Sequence, residues 1–253
     1  IASPTYYRKF PIETIDANVF GLRNLLDLCL KQIQRGKAVK GFLFFSSSEI
    51  YGDPIPTEIP TRESYWGNVS CTGPRACYDE SKRLGETLCI NFFKQHNVPV
   101  KIVRPFNNYG PGLDINDKRV LPDFFKSILN KKNIILYSDG SATRTFCYIS
   151  DAIEGYVKTL VNGKNGEAYN IGTQSPEISI LDLAKKITEI SDVHLNFKLN
   201  IEFKKNKDAE YLEDNPIRRC PNIDKAIDHL KYKPSINLQN GLEKTFFWYK
   251  ENF

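Results

Sequence analysis

The chain has 253 residues, of which 41% are hydrophobic, 12% aromatic and 26% charged. This composition is ordinary for a globular protein, which excludes a disordered chain, a collagen and a small disulfide-rich protein. No apolar stretch approaches the ~20 residues that cross a bilayer, so the sequence predicts no membrane partner. The formal net charge of +5 is small and spread along the chain, which gives no reason to expect nucleic acid as a partner.

The cysteine pattern indicates a reducing compartment. None of the six cysteines forms a CxxC pair or has the spacing of zinc ligands, so we expect free thiols, no metal site and a cytoplasmic protein. The sequence opens at Ile1 and contains no methionine, so we expect the translated protein to begin further upstream. At this length we expect one main core with a smaller lobe attached.

The first half of the sequence alternates between helix and buried strand. Apolar residues recur every three or four positions from Thr14 to Gln34, which predicts an amphipathic helix that ends at Gly36. The apolar run 41–45 predicts a strand buried on both faces, followed by a helix at about 77–95 and a second buried strand at 98–103. This alternation favours a parallel sheet with crossover helices.

The pattern changes after Pro105. Short strands are expected near 134–137, 145–148 and 168–171, and an amphipathic stretch runs from 120 to 129. Further helices are expected from Ser150 to Val161, from Ser179 to Ile190, and from starts at Asn222 and Asn237. Ser179 and Asp182 have the spacing of a capping pair.

Polar side chains follow both predicted strands of the first half. Ligands of a doubly wound sheet bind beyond the carboxyl ends of its strands, which directs attention to residues 46–49 and 104–108. The hydroxyls of Ser46, Ser47 and Ser48 can hydrogen-bond a sugar alcohol, with Glu49 as a proton donor or acceptor beside them. The alternative is a simple strand end followed by a turn.

Tyr78 and Lys82 stand four residues apart near the start of a predicted helix, which places both on one face. A nearby ammonium group favours the phenolate form of tyrosine, whose reference pKa is about 10. Such a pair can take a proton from an alcohol, as alcohol oxidation requires. The spacing also arises by chance in a chain rich in tyrosine and lysine, so an incidental pair on a surface helix stays an alternative.

Three segments of this region resemble a known family: Ser47–Pro54, Tyr65–Asn68 and Gly73–Arg83. They are similar to the UDP-glucuronate decarboxylases, a branch of the extended short-chain dehydrogenase/reductase family of nucleotide-sugar epimerases and dehydratases. The resemblance covers nearly the whole chain and continues through Arg104–Pro111, Asn116–Val120, Gly140–Arg144 and Arg219–Ile223.

The resemblance implies an α/β fold with a Rossmann-like, doubly wound parallel sheet and a smaller C-terminal substrate lobe. Residues 1–106, with a returning segment at about 146–175, would belong to the NAD-binding domain, and residues 107–145 and 176–253 to the lobe. The implied reaction oxidises UDP-glucuronate at C4 with NAD. The resulting ketone then allows carbon dioxide to leave, and return of the hydride yields UDP-xylose.

The resemblance also implies a role for each site residue. Tyr78 would be the base, and Lys82 would hold the nicotinamide ribose and lower the pKa of Tyr78. Ser47, Ser48 and Glu49 would lie at the sugar, with Glu49 assisting proton transfer, whereas Ser46 and Pro105 would contact the cofactor. The residues implied for the nucleotide part of the substrate are Asn107, Asn108, Arg119, Tyr137, Arg144 and Arg219. Members of the family usually form homodimers, here through the helices 14–34 and 78–95.

Two features depart from the pattern of this branch. The chain lacks the Gly-rich G-x-x-G-x-x-G loop, and Ile1–Pro4 resembles the end of the fourth strand of the nucleotide-binding sheet, so that roughly three βα units would precede it. These residues alone are therefore expected to bind NAD poorly. Gly112 stands where decarboxylases commonly have an arginine.

Two other functions remain open at this point. Asn107–Pro111 and Gly166–Gly172 are similar to the 4,6-dehydratase branch, which leaves a 4,6-dehydratase or a 4-epimerase as an alternative that uses the same oxidation step. Against the dehydratase, Ser47-Ser48-Glu49 lacks the aspartate of that branch's Thr-Asp-Glu motif. The other alternative is a non-catalytic protein that binds or scaffolds sugar nucleotides.

Overall fold

The computed structural model describes residues 2–205 and 213–253. The helices are α1 (Pro4–Lys9), α2 (Pro11–Gln34), α3 (Ala76–His96), α4 (Val120–Leu129), α5 (Ile149–Asn162), α6 (Ile180–Leu195), α7 (Asp224–Leu230) and α8 (Leu238–Asn252). The strands are β1 (Phe42–Phe45), β2 (Val100–Pro105), β3 (Asn108–Tyr109), β4 (Ile134–Leu136), β5 (Thr143–Arg144), β6 (Cys147–Tyr148), β7 (Ala168–Ile171), β8 (Ile178–Ser179), β9 (Ile201–Phe203) and β10 (Arg218–Arg219). Two 3-10 turns, Ser48–Tyr51 and Pro56–Glu58, follow β1.

A parallel sheet in the order β1-β2-β7 forms the centre of the fold. As the sequence predicts, α3 makes the crossover from β1 to β2. The middle strand β2 is buried along nearly its whole length. The prediction of burial on both faces is wrong for the end of β1, where Phe45 is 45% exposed. Within the described residues β1 lies at the edge of the sheet and has a single neighbouring strand.

Helices α2 and α3 cover one face of this sheet. Phe44 of β1 and Ile102 of β2 point toward them and pack in one buried cluster with Leu22, Leu26, Cys89 and Phe92. Gly85 lets α3 approach the sheet closely, because a Cβ added there would lie 2.5 Å from Phe44 Cζ. The apolar residues that recur along the two helices are visible directly in the sequence. They thus form the face that packs on the sheet.

The opposite face of the sheet is covered by α5 and α7. Val103 and Tyr169 point to this side, because successive side chains of a strand alternate. They pack with Ala226 and Leu230 of α7 and with Tyr156 of α5. The division made from the sequence assigns α7 to the substrate lobe, whereas α7 packs on the sheet. The division as a whole stays a prediction.

A separate core lies away from the sheet, among α4, α6 and α8. Its buried side chains include Phe124, Phe125, Leu183, Ile187, Leu242 and Phe246. The strand pair β4–β9 lies beside this core, and the sheet β10-β5-β8 joins segments from three parts of the chain. Among the described residues, one large apolar core thus lies outside the sheet, two lie on its faces, and a small cluster contains Ile50, Tyr51 and Phe106.

Several predicted helix ends agree with the structure. Ser179 caps α6, since its Oγ accepts a hydrogen bond from the backbone N of Asp182 at 3.0 Å, and Asn237 caps α8 in the same way. Gly36 has a left-handed φ of 73° just after α2. By contrast, α5 begins at Ile149, earlier than the sequence predicts.

The prediction for the first residues is wrong. Ile1 lies outside the described residues, but Ala2 and Ser3 belong to no strand, and Pro4 opens the helix α1. Proline suits the first turn of a helix because its missing N–H would have no partner there.

The described ranges 2–205 and 213–253 contain no helix that combines the length and the apolar character needed to cross a membrane. The six cysteines are free thiols, as the spacing predicts.

Replacing Gly85 with alanine tests the close approach of α3 to the sheet. The new methyl group would lie 2.5 Å from Phe44 Cζ, so we expect the free energy of unfolding to fall by about 1–3 kcal/mol. Gly21→Ala on α2 is the control, because none of the described residues has an atom within 4 Å of its added Cβ; it should raise that free energy by about 0.5–1 kcal/mol. Urea unfolding measures both changes, and equal values for the two variants would contradict the packing.

Candidate active site

A cavity of about 330 Å³ lies beside the carboxyl ends of β1 and β2, where a doubly wound sheet binds its ligands. All the site residues predicted from the sequence except Lys82 and Tyr137 line it: Ser46, Ser47, Ser48, Glu49, Tyr78, Pro105, Asn107, Asn108, Arg119, Arg144 and Arg219. The fold thus brings together segments that are far apart in the sequence. The individual roles of these residues stay predictions.

Lys82 and Tyr137 do not line this cavity. Lys82 lies one helical turn after Tyr78; its Nζ donates to the carbonyl of Phe45 at 2.9 Å and lies 5.6 Å from the centroid of the Tyr78 ring. Tyr137 lines a neighbouring cavity of about 350 Å³, which shares Asn107 and Arg144 with the first. Two adjoining cavities with a common wall have the shape that a ligand of two linked parts requires.

The end of β1 places the serines. The backbone N of Ser46 donates to the carbonyl of Val103 at 2.9 Å, so the strand ends in contact with β2. Ser47 then caps the 3-10 turn Ser48–Tyr51, and its Oγ accepts from the backbone N of Glu49 at 3.2 Å. The turn brings Glu49 to the wall of the cavity.

Glu49 is held between two arginines. Arg219 donates to both carboxylate oxygens, at 2.5 and 2.6 Å, and Arg75 donates to one of them at 2.5 Å. Burial alone would raise the pKa of Glu49, but Arg219 and Arg75 together outweigh burial and lower the pKa to about 2. Glu49 is therefore ionised near neutral pH, the form that accepts a proton, and its part in proton transfer stays a prediction. Arg219, predicted to hold the nucleotide, pairs with Glu49 instead.

Tyr78 lies at the wall of the cavity and is largely buried. Burial raises the pKa of its phenol to about 12, and a hydrogen bond with Ser47 offsets only part of this effect. In the chain by itself burial outweighs the groups that lower this pKa, and the effect of Lys82 on the phenol stays a prediction. Burial also lowers the pKa of Lys82.

Arg144 carries a buried positive charge at the wall of both cavities. Its guanidinium is buried and donates to four neutral oxygens. These are the backbone carbonyls of Thr143, Ile217 and Pro216 and the side-chain oxygen of Asn215. None of the described carboxylates forms an ion pair with it. Burial, followed by the positive charge of Arg219, lowers the pKa of Arg144 to about 9. An anion bound in the shared wall of the two cavities would balance this buried charge.

The remaining predicted residues differ in which of their polar atoms are already bonded within the protein. Arg119 is bound to the carboxylate of Asp117 and is partly exposed. Asn107 has a left-handed φ of 30°, which is strained for a residue other than glycine, and its Nδ2 donates to the carbonyl of Thr145 at 3.0 Å. Asn108 hydrogen-bonds the hydroxyl of Tyr156 through Nδ2.

Tyr7 and Arg75 are among the residues of the cavity wall that sequence reasoning missed. The ring of Tyr7 stacks on that of Tyr78, with 5.0 Å between their centroids. Arg75 stands three positions before Tyr78, a spacing that places both on one side of a helix start. This spacing was a usable signal for Arg75. For Tyr7 the sequence held none, because its contact depends on how α1 packs against α3.

Unpartnered polar atoms gather at the cavity. The Tyr7 hydroxyl, Ser46 Oγ and Asn108 Oδ1 are buried, and none has a hydrogen-bond partner within the described part of the chain. Buried polar groups are nearly always satisfied in folded proteins, so these atoms fit a site that binds polar ligands. No group of three His, Cys, Asp or Glu side chains in the described ranges is arranged to hold a metal ion.

Comparison with known sequences agrees with the resemblance. Residues 1–172 match the model of the NAD dependent epimerase/dehydratase family. The chain is 40% identical over 241 residues to UDP-glucuronic acid decarboxylase 2 of Arabidopsis thaliana, a match that covers 95% of this chain and 50% of that protein. It is 36% identical over 253 residues to UDP-glucuronic acid decarboxylase 1 of Xenopus tropicalis, covering 99% and 55%. The chain thus spans about half the length of these relatives.

Comparison with solved structures confirms the predicted fold class. The UDP-glucose 4-epimerase of Thermotoga maritima aligns with a TM-score of 0.85 and 22% identity, over 99% of this chain and 75% of that one. The UDP-glucuronic acid 4-epimerase of Bacillus cereus, solved with UDP-glucuronic acid and NAD, aligns with a TM-score of 0.75 and 27% identity, over 94% and 69%.

Asp79 lies directly behind this site and gives a test of its electrostatics. Burial, followed by the negative charge of Glu49, raises the pKa of Asp79 from 3.8 to about 7. The unfolded chain therefore loses this proton before the folded chain does, and ionised Asp79 destabilises the fold increasingly as pH rises from about 4 to about 7. Asp79→Asn should thus raise the free energy of unfolding, relative to the unaltered protein, more at pH 8 than at pH 5.

Asp182→Asn serves as the control for this prediction. A hydrogen bond from Lys185, then one from Ser179, lowers the pKa of Asp182 below 3.8. It is ionised in both states at pH 5 and at pH 8, so its effect on stability should not change between them. Denaturant titrations at the two pH values measure both differences, and a pH-independent effect of Asp79→Asn would refute the assignment.

Proposed function

We infer that this chain, which belongs to the NAD dependent epimerase/dehydratase family, takes part in the NAD-dependent decarboxylation of UDP-glucuronate to UDP-xylose. The observation that carries the proposal is the position of the Tyr78 phenol, which is hydrogen-bonded with Ser47 at the wall of a cavity that Glu49 and arginines line. The relatives named UDP-glucuronic acid decarboxylases support it, at up to 40% identity over 95% of the chain.

Tyr78 accepts the proton of the C4 hydroxyl as that carbon is oxidised. NAD⁺, when bound, would accept the C4 hydride, and the NADH so formed would return it at the end of the reaction. A phenol with a pKa of about 12 is a weak acid, so the base forms only when positive charge is brought to it. Ser47, which hydrogen-bonds the phenol, is a group through which the proton can pass.

Decarboxylation follows from the position of the new ketone. The C4 carbonyl lies β to the C6 carboxylate, so the C5–C6 bond breaks and its electron pair moves into the ketone as an enolate. Carbon dioxide leaves, and C5 then takes up a proton. Glu49 is paired with both Arg219 and Arg75, so the three groups together carry excess positive charge, which can bind the C6 carboxylate before it is lost.

The arginines divide the charges of a UDP-sugar between them. Arg144, buried without a carboxylate partner among the described residues, suits the diphosphate. It also borders the cavity that contains Tyr137, which has room for the nucleoside. Gly112 has a φ of 88°, and an added Cβ there would meet no described atom within 4 Å apart from those of its chain neighbours. In place of the missing arginine, Arg75 and Arg219 at the cavity wall are the cations available to the sugar carboxylate.

The cofactor would lie at the other end of the cavity. Ser46 Oγ, buried and without a partner in the described residues, fits a polar edge of the nicotinamide. The Lys82 ammonium, which donates to the carbonyl of Phe45, is placed to reach the hydroxyls of the adjoining ribose. These 253 residues contain no G-x-x-G-x-x-G loop, so they supply no such loop to the pyrophosphate of NAD.

A homodimer in the cytoplasm completes the proposal. Phe20, Leu25 and Leu28 of α2 and Leu84 of α3 are large apolar side chains that remain at least 46% exposed. Apolar surface on two neighbouring helices is typical of a helix-mediated interface. Six free thiols are compatible with a reducing compartment.

Tyr78→Phe tests the proposed base. The change removes one oxygen and keeps the ring that stacks on Tyr7, so kcat with UDP-glucuronate and NAD should fall by about 10²–10⁴-fold while binding of the nucleotide sugar persists. Turnover is followed by mass spectrometry of the sugar nucleotide, and binding by calorimetry. Tyr6→Phe, on the exposed side of α1, is the matched control.

The product distinguishes the decarboxylase from its alternatives. Loss of carbon dioxide supports the proposal. An unchanged mass with inverted C4 would identify a 4-epimerase, the activity named for the Bacillus cereus neighbour, and loss of water a dehydratase. Binding of UDP-glucuronate without any turnover in the full protein would favour the non-catalytic alternative.

Leu25→Asp with Leu28→Asp tests the dimer. Two charges on the exposed apolar surface of α2 should convert a dimer into monomers, because each would be buried without a partner. Sedimentation velocity measures the change, and Val193→Asp, at an exposed position of α6, should leave the dimer intact. A protein that is already monomeric at micromolar concentration would refute this part of the proposal.

A further inference from the structure

Arg104, near the end of β2, is the centre of a buried polar network that lies outside the lining of both cavities. Its Nε and one terminal nitrogen donate to the two carboxylate oxygens of Glu86, at 2.9 and 2.6 Å. The other terminal nitrogen donates to the Tyr51 hydroxyl at 2.7 Å and to the carbonyl of Glu63 at 2.9 Å. Every nitrogen of this guanidinium is therefore engaged.

The partners of Arg104 belong to elements that place the cavity residues. Glu86 lies on α3, two helical turns after Tyr78. Tyr51 closes the 3-10 turn that contains Glu49. Arg104 lies on β2, whose end leads into the cavity wall. One guanidinium thus joins the helix, the turn and the strand from which the site is built.

The Tyr51 hydroxyl extends the network to the third strand. It accepts from Arg104 and donates to Asn170 Oδ1 of β7 at 2.8 Å. Asn170 in turn donates through Nδ2 to the carbonyls of Thr61 and Asn222. Tyr51 is 1% exposed and Asn170 is fully buried, so removal of the hydroxyl would leave two polar groups without this partner and without water.

Such a network adds little net stability. Taking an ion pair out of water costs about as much as the pair returns, and apolar replacements are often equally stable. What a saturated network does provide is a single arrangement of the parts it joins, because each member has one geometry in which all its bonds are made. Lysine could keep the charge of Arg104 but could not form the same fork.

We propose that Arg104, Glu86 and Tyr51 are positioning residues, which hold the α3 face carrying Tyr78 in fixed register with the turn that carries Glu49. They touch neither substrate nor cofactor. The proposal rests on the proposed function for its catalytic consequence, since the distance between the Tyr78 phenol and Ser47 is what the network would fix. A displacement of about 1 Å in a reacting group is enough to slow a reaction by about a hundredfold.

Tyr51→Phe tests the proposal with the loss of one oxygen atom. In the full protein with UDP-glucuronate and NAD, kcat should fall roughly tenfold or more, while KM for the nucleotide sugar stays within about twofold. Tyr65→Phe is the matched control, because it removes a hydroxyl from the ring that stacks 6.3 Å from Tyr51. It should leave kcat unchanged.

Amide hydrogen exchange gives a readout that does not need turnover. In Tyr51→Phe, peptides covering residues 47–53 and the first turns of α3 should exchange faster, while peptides of α4 and α6 keep their protection. Arg104→Lys, which retains the charge, should show the same pattern. If one of the two variants unfolds, amide exchange would rise throughout its chain. The exchange pattern of the other variant then tests the proposal.

The outcomes separate this proposal from the proposed function. If the unaltered protein shows no turnover, the proposed function is refuted. Amide hydrogen exchange alone then tests the positioning role. An active protein whose Tyr51→Phe variant keeps its kcat and its local protection refutes the positioning role and leaves the function standing. A rise in KM with an unchanged kcat would also overturn it, because that result assigns the network to substrate binding.

Discussion

The seating of α3 against the parallel sheet is the constraint on which the rest of the site depends. Gly85 allows the helix to approach Phe44 more closely than any side chain would permit. Two hydrogen bonds from Arg104 fix the carboxylate of Glu86, the next residue of the helix. With the helix seated there, Lys82 reaches the carbonyl at the end of β1 and Tyr78 faces Ser47. A helix displaced by a turn, or rotated away, would present the same residues to solvent.

The second constraint is the distribution of charge around the cavity. Glu49 is compensated by Arg219 and Arg75, whereas Arg144 is held by neutral oxygens. The cavity therefore has one end where a carboxylate offsets part of the positive charge and another where the described residues supply no carboxylate partner. A ligand with a diphosphate at one end and a sugar at the other matches this polarity, because burial strengthens the electrostatic interaction of each charge with its surroundings.

Burial of Tyr78 makes its phenol harder to ionise and shields it from water. The same apolar surroundings that keep water from the phenol also raise its pKa to about 12, so the residue stays neutral in the chain by itself. A ligand that brings positive charge into the cavity would lower this pKa. The stacked ring of Tyr7 holds Tyr78 in place, so that the change in protonation need not be accompanied by a change in position.

The sequence by itself determined the elements and part of the site. The period of α2, the strands β2 and β7, the caps at Ser179 and Asn237 and the four-residue spacing of Tyr78 and Lys82 are local properties, and local pattern is enough to specify them. Only the tertiary structure decided the packing of α7 on the sheet, the stacking of Tyr7, and the bond between Glu49 and Arg219 across 170 positions of the chain. It also decided the sign of the pKa shift of Tyr78. These features depend on burial and on contacts between distant segments, and neither quantity exists until the chain has folded.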